Sequence, residues 1–330
     1  MLNVGPLYGP LTKAEYRAAP ASSALIPDSL FSHSDQQILW ETGTTDAQER
    51  SGWGGRAAQL MALANPVISL GGNGRFGLSS SAAPLVLPGP GDTFGAYDLQ
   101  PSDTQWTPNA LRKSAIEALY AQSAEVTLAP AYQTQQRDAF AVSARLGALV
   151  EIEPGDAGAS AAINTAFAPL IANGKVTTPL GRQLYQAAKL IEGRATVQGD
   201  RQIYFAQQGG FDTHGNQIGQ TSVEGEHVRL LKQLGDALAC FYNAMKAIGM
   251  NDAVTTFTQS DFGRPLAPNN SAGSDHAWGN HHLVLGGAVK GGLTYGSFPT
   301  LAWLGADAAM LDNILPNLRN FGSKRSLGFV

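Results

Sequence analysis

The sequence predicts an α/β protein in which helices cover a largely parallel sheet. Three observations lead there. The second half alternates β-branched apolar runs with long apolar-periodic segments, so strand, helix and strand follow one another. Clusters of Asp, His and Gly follow the strand-like runs, where loops at the carboxyl ends of parallel strands gather ligands. The chain also has 330 residues, 43% hydrophobic and only 15% charged, enough to bury a large core under a lightly charged surface.

In chain order, Met1–Leu7 (MLNVGPL) reads as a short strand meeting a Gly-Pro turn. Domains seldom begin inside a buried element, so an N-terminal piece is expected to be missing. Within Pro27–Gly43, the cluster Ser32-His33-Ser34-Asp35 precedes an apolar-periodic run, and one of these residues caps a helix. Ser51–Ala64 reads as a second helix with a glycine-rich entrance, and VISL as a strand running into a glycine-rich turn. Residues 79–108 are loop-rich, with a short strand around Leu85–Leu87. Asn109–Leu149 is helical, with Pro130 as its main internal breaker. A small-residue linker, Gly155–Ser160, leads to another helix, and Pro179–Arg194 predicts an amphipathic one. RQIYFAQQ (Arg201–Gln208) is a strand, Val223–Ile248 one long helix, and AVTTFT (Ala253–Thr258) a buried strand. After a Pro/Asn/Gly/Ser-rich loop, HHLVLGGAVKGG supplies a further strand. With no internal repeat, residues 1–330 read as a single domain.

The net charge of −4 and the lack of a basic run give no reason to expect nucleic acid. No apolar stretch is long enough to span a bilayer, and no export signal opens the chain. Cys240 is the only cysteine, which excludes disulfides and cysteine-based metal sites within the chain.

Chemistry collects in the loops. Asp212 and His214 follow one predicted strand within QQGGFDTHGNQ, and Asp261 follows the next. Asp275, His276, His281 and His282 lead into the last; four of the six histidines thus sit in these loops, and a fifth, His33, in the cap cluster. Imidazole with carboxylate suits zinc, manganese or iron, whereas calcium prefers oxygens alone. Each residue also has an ordinary reading. Asp212 fits an Asx turn, Ser32 a helix cap, and Asp261 with Arg264 a plain turn and a surface ion pair. His227 fits a helix surface or core, and His281 and His282 point to opposite faces, so at most one of them reaches a site.

GGFDTHGNQ, TTFTQSDFGR and DHAWGNHHLVLGGAVKGG together resemble the bacterial family called domain of unknown function 1501, grouped with the alkaline phosphatase and sulfatase superfamily. SHSDQQILWETG with GWGGRAAQL, and the ending FPTLAWLG…ILPNLRNF, resemble the same family. The resemblance implies an alkaline-phosphatase-like three-layer α/β/α sandwich with a largely parallel central sheet, holding divalent metal at its strand ends. It implies Asp212, His214, Asp261 and His276 or His282 as metal ligands, Ser32 as nucleophile, and a zinc, manganese or calcium cofactor. A histidine, His33 or His276, is then a proton shuttle and Arg264 an anion clamp, in a metal-dependent hydrolase of phosphate or sulfate esters, small-molecule or glycan. The alternatives are a non-catalytic, metal-stabilised binding module and a metal-independent serine carboxylester hydrolase. The chain departs from the family pattern in two places. Phe262 stands where the superfamily commonly supplies a second-metal ligand, and the family's first, Asp-bearing strand precedes Met1, leaving room for a partner segment that supplies it. A periplasmic or extracellular location is implied by the family alone.

Overall fold

The computed structural model describes residues 2–4, 13–20, 22–27, 29, 32–44, 46, 48–96, 98–99, 103–122, 128–221, 223–265, 268–276 and 280–296. The FPTLAWLG…ILPNLRNF ending and the Gly5-Pro6 turn lie outside them. Elements run β1 (Leu2–Val4), α1 (Lys13–Ala18), α2 (His33–Thr42), α3 (Trp53–Leu60), β2 (Ile68–Ser69), β3 (Leu85–Val86), α4 (Thr107–Ala121) and α5 (Leu128–Glu151). There follow α6 (Ala161–Phe167), β4 (Ile171–Ala172), β5 (Lys175–Val176), α7 (Pro179–Glu192), α8 (Arg194–Val197) and β6 (Tyr204–Phe205). The last are α9 (Glu226–Ala247), β7 (Thr256–Phe257), β8 (Asn280–His282) and β9 (Val284–Leu285).

The protein mixes helix and strand around a small parallel sheet ordered β3-β2-β6, with Ile68 opposite Leu85 on one side and Tyr204 on the other. The expected parallel character stops there among the described residues. β1 pairs with β8, β4 with β5, and β7 with β9, each antiparallel. Antiparallel neighbours need no crossover helix, and the loop between β7 and β9 turns the chain back on itself.

Helix limits follow local chemistry. The Ser32 hydroxyl caps α2 by accepting the Asp35 amide, and Gly43 closes it at φ 61°, its amide donating to Leu39 O at 2.8 Å. Thr178 caps α7 with Pro179 in its first turn. Pro130 does not break a helix: it sits in the first turn of α5, where its missing N–H costs no hydrogen bond. α7 forms over the segment expected to be an amphipathic helix, and Leu184–Ile191 are all buried, so most of it lies inside the core. One side packs on α6 and α9 through Leu184, Tyr185 and Phe241, and Leu190 joins Ile68, Leu146 and Val150 beneath the sheet. Two polar residues of α7, Lys189 and Gln186, are buried where α5 ends against them. Lys189 Nζ donates to Leu149 O and Val150 O at 2.9 and 3.0 Å and to Ile152 O, and Gln186 donates to Val150 O. Those are the open carbonyls of a helix C-terminus, which favour a cation, while burial pulls the Lys189 pKa from 10.5 down to about 7.

His282 on β8 is 2% exposed, its ring edge-on to Trp40, and its Nε2 accepts the Ser260 amide at 3.2 Å. Burial depresses its pKa from 6.5 to about 4. The unfolded chain therefore binds a proton between these values that the folded chain refuses, so stability falls as pH drops from 6.5 towards 4. A gap of that size corresponds to about 3 kcal/mol. His282→Gln keeps an acceptor for Ser260 without a titrating group. Urea unfolding at pH 7 and pH 4.5 is expected to show a smaller acid loss in the variant than in the wild type.

Candidate metal centre

Three segments meet at one point: the N-terminus of α2, the loop after β6 and the long connection from β7 to β8, which contributes from both its start and its end. They bring His33, then Asp212 and His214, then Asp261 and Arg264, then Asp275 and His276. The loop after β6 and the loop before β8 are zipped together by backbone. Asn216 N and Gln217 N donate to Ser271 O and Ala272 O, and Ser274 N to Thr213 O. Asn269 completes the seam: its Nδ2 donates to His214 O at 2.8 Å while its Oδ1 accepts the amides of Ser271 and Gly273.

His276 Nε2 is the hub. It lies 2.9 Å from His33 Nε2, 3.1 Å from His214 Nε2 and 2.9 Å from Asp212 Oδ1. Asp212 Oδ1 in turn is 2.9 Å from His214 Nε2, and Asp212 Oδ2 is 3.5 Å from His33 Nε2. A single ring nitrogen carries either one proton or one lone pair, so hydrogen bonding satisfies only one of those contacts. A shared cation satisfies them all, since ligands on a tetrahedral zinc lie ~3.3 Å apart. One donor atom each from His33, Asp212 and His276 falls within 4.8 Å of the others, the compactness a metal needs.

The outer contacts fix which nitrogen faces inward. Asp261 Oδ2 is 2.7 Å from His33 Nδ1, and Asp275 Oδ1 is 3.1 Å from His214 Nδ1. A carboxylate there holds the proton on Nδ1 and leaves the Nε2 lone pair directed at the hub, the usual support of a metal-binding histidine. Phe262 stacks on His276 with 4.4 Å between centroids and meets His33 edge-on at 4.1 Å, so one flank of the cluster is an aromatic wall. On Asp212, burial raises the pKa, but hydrogen bonds from His276 and Arg264 outweigh it and bring the carboxyl down to about 2. Burial lowers the pKa of His276, and repulsion from His33 and Arg264 adds to this against the raising effect of Asp212, so the ring stays neutral near pH 7. An ionised carboxylate beside a neutral imidazole is the protonation state a divalent ion requires.

These positions revise several sequence expectations. Asp261 supports His33 in the position of an outer partner, and also accepts from Gln37 Nε2 at 3.2 Å. His33 itself belongs to the inner donor set instead of standing apart as a shuttle. His282 stays out of the cluster because its Nε2 is engaged by Ser260 and its ring packs on Trp40. Arg264 is not an open clamp: its side chain is 10% exposed and its N–H groups are held by protein oxygens. Ser32 has its hydroxyl at the helix cap, sharing a further hydrogen bond with Ser34 Oγ. His227, on α9, lies edge-on to Phe211 behind the Asp212 loop. Sequence reasoning gave Asp275 no role; its adjacency to His276 was the only signal available.

A mixed helix-and-strand protein with a histidine–aspartate cluster where three segments meet is thus the class this chain represents. The profile of the family described as "Protein of unknown function (DUF1501)" matches residues 2–308, and the chain belongs to that family. No curated protein and no solved structure matches it. Among the described residues, no helix is long and apolar enough to cross a membrane.

Proposed function

We propose that the protein is a metal-dependent hydrolase of phosphate or sulfate esters, on a scaffold akin to the alkaline phosphatase and sulfatase superfamily and exported as that family is. The observation that carries this reading is the convergence of three imidazole Nε2 atoms and one ionised carboxylate, with carboxylates behind two of the rings. His33, Asp212, His214 and His276 would hold the ion. Zinc or manganese fits that nitrogen-rich set, and calcium, which takes oxygens, drops out. When bound, such an ion supplies Lewis-acid polarisation of an ester oxygen.

The chain's own residues contribute the rest. Asp261 and Asp275 orient His33 and His214, and Phe262 keeps water from one face of the cluster. Ser32, one residue before His33 at the N-terminus of α2, is the proposed nucleophile, where free first-turn amides and the helix dipole favour an anionic group. The test is turnover of an aryl phosphate and aryl sulfate panel by metal-free protein, before and after addition of zinc or manganese. Metal-dependent hydrolysis lost in Ser32→Ala is expected; no turnover with any added ion contradicts catalysis.

Two observations favour a second reading, a non-catalytic module stabilised by metal: the Ser32 hydroxyl serves as a cap, and Arg264 is committed to protein oxygens. That reading predicts a higher melting temperature with zinc and no turnover across the panel.

A further inference from the structure

Arg264 makes an unusually complete set of contacts. Nε donates to Phe211 O at 3.1 Å, and Nη2 donates to the same carbonyl at 2.8 Å and to Asp212 Oδ1 at 2.7 Å. Nη1 donates to Ser274 O and Asp275 O at 3.0 and 3.1 Å. All five N–H bonds of the guanidinium are thereby engaged, the full capacity of the group. The acceptors lie on two loops that are distant in sequence. One carries Asp212 and His214; the other is the end of the β7–β8 connection, with Asp275 and His276, and Arg264 stands near the start of that same connection, three residues after Asp261.

We propose that Arg264 is the positioning residue of this centre, preassembling it by clasping the Asp212 loop to the His276 loop so that their donor atoms converge before an ion arrives. This rests on the metal-centre reading above. The planar fork is what the task requires. Four carbonyl contacts and one carboxylate contact in different directions demand five fixed donors, and a lysine ammonium offers three at a single point. The buried guanidinium also pairs with the Asp212 carboxylate and counters its charge in the metal-free protein. A residue so enclosed acts on chemistry only through the groups it holds.

Zinc affinity of the metal-free full chain, measured by calorimetric titration against a competing chelator, tests this together with the melting temperature of each metal-free protein. Arg264→Gln is expected to bind zinc about 10–100-fold more weakly than wild type, the cost typical of losing an outer-sphere partner. Arg264→Lys is expected to fall between them, and it carries the test if the glutamine variant does not fold. The proposal is overturned if both variants bind zinc as wild type does, whether they lose only melting temperature, as for a purely structural arginine, or only affinity for inorganic phosphate, as for a substrate clamp. A wild-type chain that binds no zinc overturns the metal-centre reading itself, a result distinct from wild-type binding that the variants leave unchanged.

Discussion

Asp212→Asn is expected to lose divalent-ion binding almost completely. The substitution keeps the shape of the side chain and an oxygen for Arg264, but it removes the only carboxylate among the described residues in direct contact with His276 Nε2. The amide adds N–H donors where an ion needs lone pairs, and it brings no negative charge to balance a divalent cation. Loss of an outer partner costs about 10–100-fold in affinity, and loss of this inner donor is expected to exceed the upper end of that range. The folded state should tolerate the change, because Asp212 is half exposed and its loop is held by backbone contacts and by Arg264. Zinc titration of variant and wild type, with circular dichroism to confirm the fold, measures the effect.

A comparably large effect is expected from Gly273→Ala, at a position with no side chain to contribute. A Cβ on Gly273 would lie 2.3 Å from the carbonyl carbon and oxygen of His214 and 2.6 Å from Gly215 N. These are backbone atoms, and no rotamer relieves the clash. The loop before β8 must then move away from the loop after β6, breaking the seam that Asn269 closes and separating His276 from Asp212 and His214. Overpacking of this kind costs about 1–3 kcal/mol in stability. Its effect on the centre is larger, since donor atoms now 2.9–3.1 Å apart lose their common point. Zinc affinity more than about 100-fold weaker is expected, beyond the loss typical of an outer partner. Gly209→Ala, where a Cβ meets nothing within 4 Å, is the control and should bind zinc as wild type does.

The sequence made some of this legible and hid the rest for identifiable reasons. VISL, RQIYFAQQ and AVTTFT announce β2, β6 and β7 because β-branched and aromatic runs between turn residues have few alternatives. Their partners were not legible. Strands of two residues carry too little pattern to select a neighbour, and the β7–β9 pairing joins segments far apart in the chain. The amphipathic pattern of α7 was legible, but the burial of Lys189 and Gln186 was not, because the carbonyls that receive them come from the end of α5. Within the cluster, the residue types were readable and their ranks were not. Asp261 and Asp212 both follow strands, and spacing alone does not reveal that the His33 ring stands between Asp261 and the hub. Arg264 suggested an anion clamp because a guanidinium near carboxylates and histidines is often open, and only the four backbone carbonyl contacts show it closed.

Native mass spectrometry of wild type and His276→Ala, each purified metal-free and re-equilibrated with zinc or manganese, tests the metal centre most directly. Wild type should retain a divalent ion through buffer exchange, and the variant, which removes the nitrogen in contact with His33, His214 and Asp212, should retain none. A wild-type chain that emerges without metal, or a variant that keeps it equally well, would contradict the centre described above.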